Sequence, residues 1–487
     1  MIIRFLYKIG LNGRSTLFKG VSVFVGLFFS AVVNAGDYYV DNAVSVSGDG
    51  TISSPFQAIQ EGIDVLGPGD RLLIRGDTTG QVYSETLSFS VSGNASQVIT
   101  MRAYENEKVI LTGSSGSRFN IREDYWTIEN LIIDQANISA DAIRINGNNI
   151  IFRNLEIRNG RREGIAIQVA SFITIEDSYI HDFMRIESGV RIDAHCIIIE
   201  TDRSPNITNI KILRNTIERC SGDGIQIFGT TGQDISEYAK NVEIIGNTFI
   251  DGTAAQSNLT ENALDFKAGD TVLVKDNVMR GYTNNKTVVV QKGCRNITFE
   301  GNTISDGDRG IEMRQEGGTD FIQLNNSIKN NLIYNIASYA LGFDGVKNIS
   351  VVNNTLVNIA GSSFRFESTL GTSTPSVDGG IIKNNLVYQS GSPGVKDAFS
   401  NLDIAFNGWF QASAGDLSQA SDTTGTNPLF VDEATDDYRL QALSLAVNAG
   451  VDVGASFFES APDLGAFEYN PGGDTTPPDP PTGISVE

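Results

Sequence analysis

A short motif recurs along the middle of the chain: a run of β-branched and other apolar residues that ends in asparagine. Successive copies are separated by 23 to 38 residues, and no amphipathic helical pattern lies between them. Each step therefore has room for one coil of three short strands with turns, which favours a solenoid over alternating strands and helices. The copies end at Asn154, Asp177 (aspartate in place of asparagine), Asn215, Asn247, Asn277, Asn302, Asn330, Asn354 and Asn384.

Coils of this size predict an all-β fold, a right-handed parallel β-helix. Asparagine suits a recurrent corner, because it tolerates a left-handed turn and its amide can bond to the coils above and below. Residues 56–66 have helical spacing, so we expect a short helix that covers the exposed edge of the first coil. Residues 427–469 are typical of a closing coil at the other end.

The two ends of the sequence have different compositions from the repeats. Residues 1–35 are typical of a secretory signal peptide, with four basic residues, an apolar stretch over 21–33 and the small residues Val33 and Ala35 before a cleavage site. The stretch is short for a transmembrane helix, so we expect secretion or periplasmic export and no membrane span after cleavage. Residues 36–470 are then the β-helix catalytic domain, and residues 471–487 form a Pro-rich linker or tail.

Charge and cysteine content exclude several classes of protein. Lys and Arg number 36 against 58 Asp and Glu, a formal charge of −22, which argues against nucleic acid or an anionic membrane as a partner. A polyanionic substrate needs cationic side chains gathered in one place. Three cysteines without a Cys-x-x-Cys motif exclude a disulfide framework, and we expect Cys196, Cys220 and Cys294 to be buried free thiols. Two histidines leave little room for a multi-histidine metal centre.

A second strand is predicted after each asparagine strand, and seven of these strands align in one register. Their third and fifth positions are apolar and should face the core, so their first, fourth and sixth positions should face solvent. On that outer face acidic groups dominate the early coils and basic groups the later coils. The aligned segments are 141–145, 163–167, 195–199, 223–227, 262–266, 286–290 and 309–313, and the basic strip consists of Lys267, Lys286, Lys292, Arg309 and Arg314.

A cationic strip on an acidic protein is a plausible track for a polyuronate. Cleaving such a polymer by β-elimination requires neutralisation of a carboxylate, a base for the adjacent C5 proton and a proton donor for the departing O4. Calcium held by Asp and Glu oxygens, or a cationic side chain, can neutralise the carboxylate. Lysine can serve as the base when nearby positive charge or a metal ion lowers its pKa.

Residues 261–267 (ENALDFK) and 287–302 (TVVVQKGCRNITFEGN) resemble the active-site coils of family 6 polysaccharide lyases, the chondroitinase-B and alginate-lyase type. The resemblance implies that Lys267 is the base and that the acidic residues just before it bind calcium. An arginine one coil later is the family's proposed acid, but this chain has Gln291 there, with Lys292 beside it. The paired acidic ligands are also reduced to Glu261 and Asn262, with Asp265 added.

These observations together define the predicted site. The expected catalytic residues are Lys267, Lys292 and His195. The expected calcium ligands are Asp223, Glu261 and Asp265, and the expected substrate contacts are Gln226, Lys286, Gln291, Arg309 and Arg314.

Four functions remain open. The first hypothesis is a monomeric, calcium-assisted lyase acting on an acidic polysaccharide such as alginate or pectate. A C5-epimerase would share the proton abstraction. A glycoside hydrolase could use Asp265 and Glu312, which the register places two coils or roughly 9.6 Å apart, at the edge of the inverting range. A non-catalytic carbohydrate-binding β-helix would show no segregation of charge along the strip.

Overall fold

The structure is a computed structural model that describes residues 35–203, 207–251, 260–316, 322–367, 377–395, 399–470 and 472. Within these residues the chain winds as a right-handed parallel β-helix, which confirms the predicted all-β fold. The predicted signal peptide over 1–35 and the tail over 471–487 lie outside the described residues, except for Ala35 and Gly472.

Each coil contributes strands to three rows, and the first row contains the apolar runs that precede the asparagines. Its strands pair in parallel from one coil to the next. They are Asp37–Val40, Arg71–Ile74, Ile99–Ala103, Trp126–Glu129, Ile150–Arg153, Ile173–Glu176, Thr208–Leu213, Ala239–Ile245, Gly269–Lys275, Arg295–Glu300, Gln323–Leu324, Ser327–Lys329, Val346–Val352, Val377–Lys383 and Phe399–Ala405.

The second row follows the asparagine corner. Its strands are Gln81–Ser84, Val109–Thr112, Ile132–Asp134, Glu156–Gly160, Tyr179–Phe183, Thr216–Cys220, Thr248–Ile250, Val278–Arg280, Thr303–Met313, Leu332–Phe343, Thr355–Phe366, Leu386–Gly391, Gly408–Phe410 and Thr423–Gly425.

The third row carries the segments aligned in the sequence. Its strands are Leu87–Ser88, Phe119–Ile121, Ile143–Ile145, Ile165–Ile167, Ile197–Glu200, Ile225–Phe228, Leu264–Phe266, Lys286–Val290 and Gly394–Val395. Three long strands, Thr303–Met313, Leu332–Phe343 and Thr355–Phe366, run through both the second and the third row.

A few elements lie outside the rows. Two antiparallel hairpins pair Arg185–Glu187 with Val190–Ile192 and Phe430–Asp432 with Asp437–Leu440. Short 3₁₀ turns occupy Ile235–Glu237, Gly415–Leu417 and Glu433–Thr435. None of the helices that the structure describes is long and apolar enough to span a membrane.

The core is a continuous column of inward-pointing apolar side chains. Alternate residues of each strand point inward because the side-chain period of a strand is two. Stacked coils therefore place apolar residues above one another, as Phe266 pairs with Val290 in the third row. Side chains of different rows meet inside the column, where the rings of Phe266 and Phe299 have centroids 6.4 Å apart. Both rings are fully buried.

A buried asparagine ladder runs along the corner after the first row. Each amide nitrogen donates to backbone carbonyl oxygens and to the side-chain oxygen of the next asparagine, as Asn277 does to Asn302 at 2.9 Å. The amide oxygen accepts the backbone N–H of the preceding coil. The ladder comprises Asn215, Asn247, Asn277, Asn302, Asn331, Asn354, Asn385 and Asn407.

The left-handed turn and the ladder occupy neighbouring positions rather than one. The residue just before each ladder asparagine has a positive φ, for example 52° at Asp276 and 56° at Asn330. The predicted motif ends Asn154 and Asp177 hold the same turn, with no asparagine after them. Asn330 and Asn384 also hold it, and the asparagines that follow these two enter the ladder. The predicted ladder positions were wrong by one residue at Asn330 and Asn384, because an Asn-Asn pair presents two equivalent candidates.

The predicted N-terminal helix exists but is shorter than residues 56–66. It spans Ile59–Ile63 and buries Ile59 and Ile63 against the first coil. Gly62 lets the helix approach closely, because a Cβ there would come within 2.4 Å of Leu72.

The C-terminal segment is not the closing coil that the sequence predicted. It packs along the outer side of the second row, where Phe430, Tyr438 and Leu464 cover the outward apolar side chains of Val357 and Leu386. These outward residues break the usual alternation of apolar and polar faces, so this flank requires a cover.

The expectation of three free thiols was wrong, because Cys196 and Cys220 form a disulfide. Their Cα atoms are 5.7 Å apart, within the usual range for a bridge. The sequence separation is 24 residues, and stacking brings the two positions together on neighbouring coils. Cys294 remains a buried free thiol, as predicted.

Replacing both Cys196 and Cys220 with serine is expected to lower the free energy of unfolding by roughly 3 kcal/mol. The bridge closes a short loop and thereby restricts the unfolded chain. Denaturant unfolding with and without reductant would measure the effect. The unmodified protein should lose stability on reduction and the double variant should not; equal sensitivity of both proteins would contradict the bridge.

Candidate active site

The register predicted for the polar face is confirmed. The structure pairs Gln226 with Asp265, Asp265 with Val289 and Val289 with Glu312. The aligned strands belong to the third row, however, because a second-row strand lies between each asparagine and the aligned segment. These intervening strands were not predicted, so the strand predicted as the second of each coil is in fact the third.

Two buried carboxylates form the centre of the site. Asp223 is fully buried and Asp265 is 4% exposed. The Gln226 amide lies between them, with Nε2 2.8 Å from Asp223 Oδ2 and 3.4 Å from Asp265 Oδ2. Burial raises the pKa of both carboxyl groups, and the charge of Asp265 raises that of Asp223 further. Gln226, predicted as a substrate contact, is itself buried within this cluster.

Lys267 lies at the edge of the carboxylate pair. Its Nζ is 2.9 Å from Asp265 Oδ2 and 5.8 Å from the centre of the Phe228 ring, and its side chain is 19% exposed. Burial lowers the pKa of Lys267, but the negative charges of Asp265 and Asp223 raise it by more. The protein groups alone therefore do not provide the lowered pKa that the sequence analysis required of a lysine base.

His195 is buried beside Asp223. Its Nδ1 accepts the backbone N–H of Asp223 at 2.8 Å and lies 3.4 Å from Asp223 Oδ2. Burial lowers the pKa of His195 to about 3, and the charges of Lys267 and Arg191 act in the same direction. The imidazole is therefore neutral, with its proton on Nε2.

Glu261 is held by an arginine that the sequence analysis missed. Arg191 Nη1 lies 3.0 Å from Glu261 Oε2 and donates to the carbonyl oxygen of Ser221 at 2.7 Å. Arg191 comes from the hairpin strand Val190–Ile192, which projects from the longest step between repeats. The length of that step indicated an insertion, but nothing in the sequence linked it to a residue 70 positions away.

Gln291 links the carboxylate pair to the basic strip. It is 2% exposed and donates through Nε2 to Asp265 Oδ1 at 2.7 Å. Its Oε1 accepts from Arg314 Nη2 at 2.8 Å, and the same guanidinium contacts Glu316 at 2.7 Å. Gln291 is thus buried between charged groups, whereas Arg314 remains partly exposed.

Lys292 lies near Lys267 at a left-handed turn with φ 54°. Its Nζ donates to the carbonyl oxygen of Gly229 at 3.2 Å. Burial lowers the pKa of Lys292, and the positive charge of Lys267 lowers it further. The structure therefore brings both predicted catalytic lysines to one end of the third row.

The strip continues past Lys286 and Arg309 into coils that the sequence analysis did not align. Tyr339 and Arg365 occupy the first and fourth outward positions there and line a cavity of about 250 Å³. The signal was present, because YALGF (339–343) and SFRF (363–366) keep apolar residues at the same inward positions. The alignment ended two coils too early to include both segments.

The donor groups around Asp223 suit calcium in their chemistry. Asp223, Asp265 and Glu261 supply carboxylate oxygens, and the buried Oδ1 of Asn262 has no hydrogen-bond partner. Like charges buried together favour a bound cation. Among the residues that the structure describes, however, no three His, Cys, Asp or Glu side chains form a ready-made metal site.

Comparisons with known proteins agree with the fold. Residues 38–194 match a family model described as "Pel9A-like, right handed beta helix region". Over 97 residues, 20% of this chain, the sequence is 39% identical to pectate lyase PEL9 of Emericella nidulans. The match spans 22% of that relative's length. The family match ends before His195, so it contains none of the predicted site residues.

Matches among solved structures include lyases of two kinds. Pectate lyase Pel9A is 18% identical with a TM-score of 0.41, and the match covers 89% of this chain and 96% of that one. The PL6 family alginate lyase AlyGC is 15% identical with a TM-score of 0.48, covering 75% of this chain and 51% of that one. The predicted resemblance to the chondroitinase-B type is not confirmed; the family match is to the Pel9A-like β-helix.

Proposed function

We propose that the protein is a polysaccharide lyase that cleaves an acidic, uronate-containing polysaccharide such as pectate or alginate by β-elimination. The observation that carries the proposal is the position of Lys267. Its amine contacts a buried carboxylate at 2.9 Å yet stays partly open to solvent, where a cationic strip begins on an otherwise acidic protein. Local similarity to a pectate lyase supports the same class of substrate.

Lys267 is the proposed base for the C5 proton. A lysine removes a proton only as the neutral amine, and the charges of Asp265 and Asp223 favour the ammonium form. Those negative charges must therefore be offset when substrate binds.

Calcium is the cofactor that we propose for this purpose. Asp223, Glu261 and Asp265 would hold it, together with the unpartnered oxygen of Asn262. When bound, the ion would neutralise these carboxylates and the carboxylate of the substrate, which makes the adjacent C5 proton more acidic.

Lys292 is the proposed proton donor to the departing O4. Burial and the neighbouring Lys267 lower its pKa, and a lower pKa makes an ammonium group a stronger acid. His195, Gln226 and Gln291 are buried and contact the carboxylates, so we assign them positioning roles. Lys286, Arg309 and Arg314 are the proposed contacts to the polymer.

The direct test uses purified residues 36–487 with pectate, alginate and other uronate polymers. A lyase produces unsaturated uronate ends, which are detected by their ultraviolet absorbance. New reducing ends without that absorbance would transfer the proposal to a hydrolase. Neither product, with a change in the uronate epimer ratio by NMR, would identify a C5-epimerase, and binding without any product a carbohydrate-binding module.

The hydrolase alternative uses Asp265 and Glu312. They occupy one column two coils apart, as the sequence predicted. Glu312 nevertheless accepts a hydrogen bond from the Tyr339 hydroxyl and lies 3.7 Å from Arg309, so it is engaged by neighbouring groups. Lys267 would also have no role in that reaction, which favours the lyase.

Removing divalent cations with a chelator is expected to lower the rate of elimination by about 10²-fold or more, because the substrate carboxylate then lacks its main electrostatic stabilisation. Added calcium should restore the rate. In the same titration, Asp223→Asn should need a higher calcium concentration to reach its half-maximal rate. Full activity of the unmodified protein in chelator would contradict the calcium proposal.

We also propose that the protein acts outside the cytoplasm as a monomer. The disulfide between Cys196 and Cys220 supports this location, because such bonds persist in oxidising compartments. Sedimentation of the secreted protein would test the oligomeric state.

A further inference from the structure

The cavity on the later coils of the third row lies beyond the proposed catalytic lysines. It begins one coil after Asp265, since Asp265 pairs with Val289 in the strand Lys286–Val290. It extends to Arg365, four coils from Asp265 in the same column, or roughly 19 Å at the usual strand spacing. A polymer that follows the strip from Lys267 would pass over it.

The outward column of the cavity lacks a side chain at one position, and an aromatic ring lies there instead. Gly342 occupies the fourth position between Glu312 and Arg365, and a Cβ there would come within 2.7 Å of the Tyr339 ring. The ring takes the space above the glycine and is 4% exposed, so it forms the floor of the cavity.

Two guanidinium groups lie against that floor. The Cζ atoms of Arg309 and Arg365 are 5.4 and 4.9 Å from the centre of the Tyr339 ring. Cation–π contacts of this kind hold a guanidinium in a fixed orientation. Both side chains remain about one-third exposed, so they can still reach a ligand in the cavity.

The cavity is lined by four cations and three carboxylates, on a chain whose formal charge is −22. Asp308 and Glu316 lie outside the lining and pair with Arg309 and Arg314, so an anionic ligand would compete with these ion pairs. Glu312 lies 4.0 Å from Lys286 and 3.7 Å from Arg309 and accepts from the Tyr339 hydroxyl, so it offsets part of the positive charge. The cations are Lys286, Arg309, Arg314 and Arg365, and the carboxylates are those of Glu312, Asp344 and Glu367.

We propose that this cavity is a distal subsite that binds the carboxylate of a sugar unit several positions from the bond being cleaved. Arg309 and Arg365 are the side chains that bind this carboxylate. The inference rests on the proposed function, because it takes the ligand to be the same polymer. Guanidinium groups bind carboxylates through paired hydrogen bonds, so an uncharged or esterified unit binds weakly here. The subsite thus selects polymers that are long enough to place a uronate carboxylate at this position.

The test measures binding separately from catalysis. Calorimetry would measure the affinity of two proteins, Lys267→Ala and the double variant Lys267→Ala/Arg365→Gln. Each would be titrated with oligogalacturonates and oligomannuronates of increasing length. Oligomers long enough to reach the cavity should bind about 10–100-fold more weakly to the double variant. Short oligomers and methyl-esterified long oligomers should bind equally to both proteins.

Two further variants make the result specific. Arg309→Gln should give the same loss of affinity for long oligomers. It can replace Arg365→Gln in the experiment if that variant fails to fold. Arg153→Gln is the matched control, because Arg153 is a partly exposed, ion-paired arginine on the first row. The affinity of Arg153→Gln for oligomers of every length should not change.

The outcomes separate the subsite from the lyase. Three results would overturn the subsite even if elimination occurs. The first is equal affinity of the single and double variants for oligomers of every length, and the second is an equal loss of affinity with esterified oligomers. The third is preferential binding of a sulphated glycan. Length-dependent binding through Arg365 without unsaturated products from any polymer would support the subsite and reject the lyase.

Discussion

Lys267→Ala is expected to reduce the rate of elimination by about 10³-fold, the usual contribution of a positioned general base. The amine is the proposed acceptor of the C5 proton, and Asp265 holds it in place at 2.9 Å. The rate should be measured as unsaturated ends formed per unit time on pectate and alginate. Substrate affinity should change much less than the rate, because the cationic strip remains.

Two variants distinguish proton transfer from charge. Lys267→Arg keeps the positive charge but cannot lose a proton near neutral pH, so it should be as inactive as Lys267→Ala. Lys275→Ala removes a comparable lysine, ion-paired with Glu300 on the first row, and should keep full activity. Substantial activity of Lys267→Arg would show that the residue acts only as a cation and would remove the base from the mechanism.

Asn277→Leu is expected to lower the free energy of unfolding by about 3–5 kcal/mol, since several buried partners lose their hydrogen bonds. The Asn277 amide donates to the carbonyl oxygens of Ile244 and Lys275 and to the side chain of Asn302. Its oxygen also accepts the backbone N–H of Asn247. Denaturant unfolding followed by circular dichroism would measure the loss.

An exposed asparagine provides the matched control. Asn296 donates to Asp270 at 2.7 Å on the protein surface, and its φ is 53°. Asn296→Gly removes that amide without straining the left-handed backbone, so the change in stability should stay below about 1 kcal/mol. A similar loss from both variants would show that the buried ladder has no special stabilising role.

Much of the fold could be predicted because it is repetitive. Asparagine at intervals of one coil indicated the solenoid, and the two-residue period of strands fixed which side chains point outward. The pairing of Asp265 with the Glu312 column followed from that register alone. The errors within the repeat were the missed second-row strands, a one-residue slip at Asn330, an overlong helix before Leu66 and an alignment that ended before Tyr339.

Only the tertiary structure shows contacts between segments that are not successive copies of the repeat. The contact of Arg191 with Glu261, the pairing of Cys196 with Cys220 and the cover over Val357 all join positions separated by turns or insertions of irregular length. The same holds for the charge state of Lys267, which is set by how near Asp265 and Asp223 approach in a buried environment. A periodic sequence specifies which residues stack, because stacking repeats with the coil. It does not specify insertions or burial, because these depend on the folded chain as a whole.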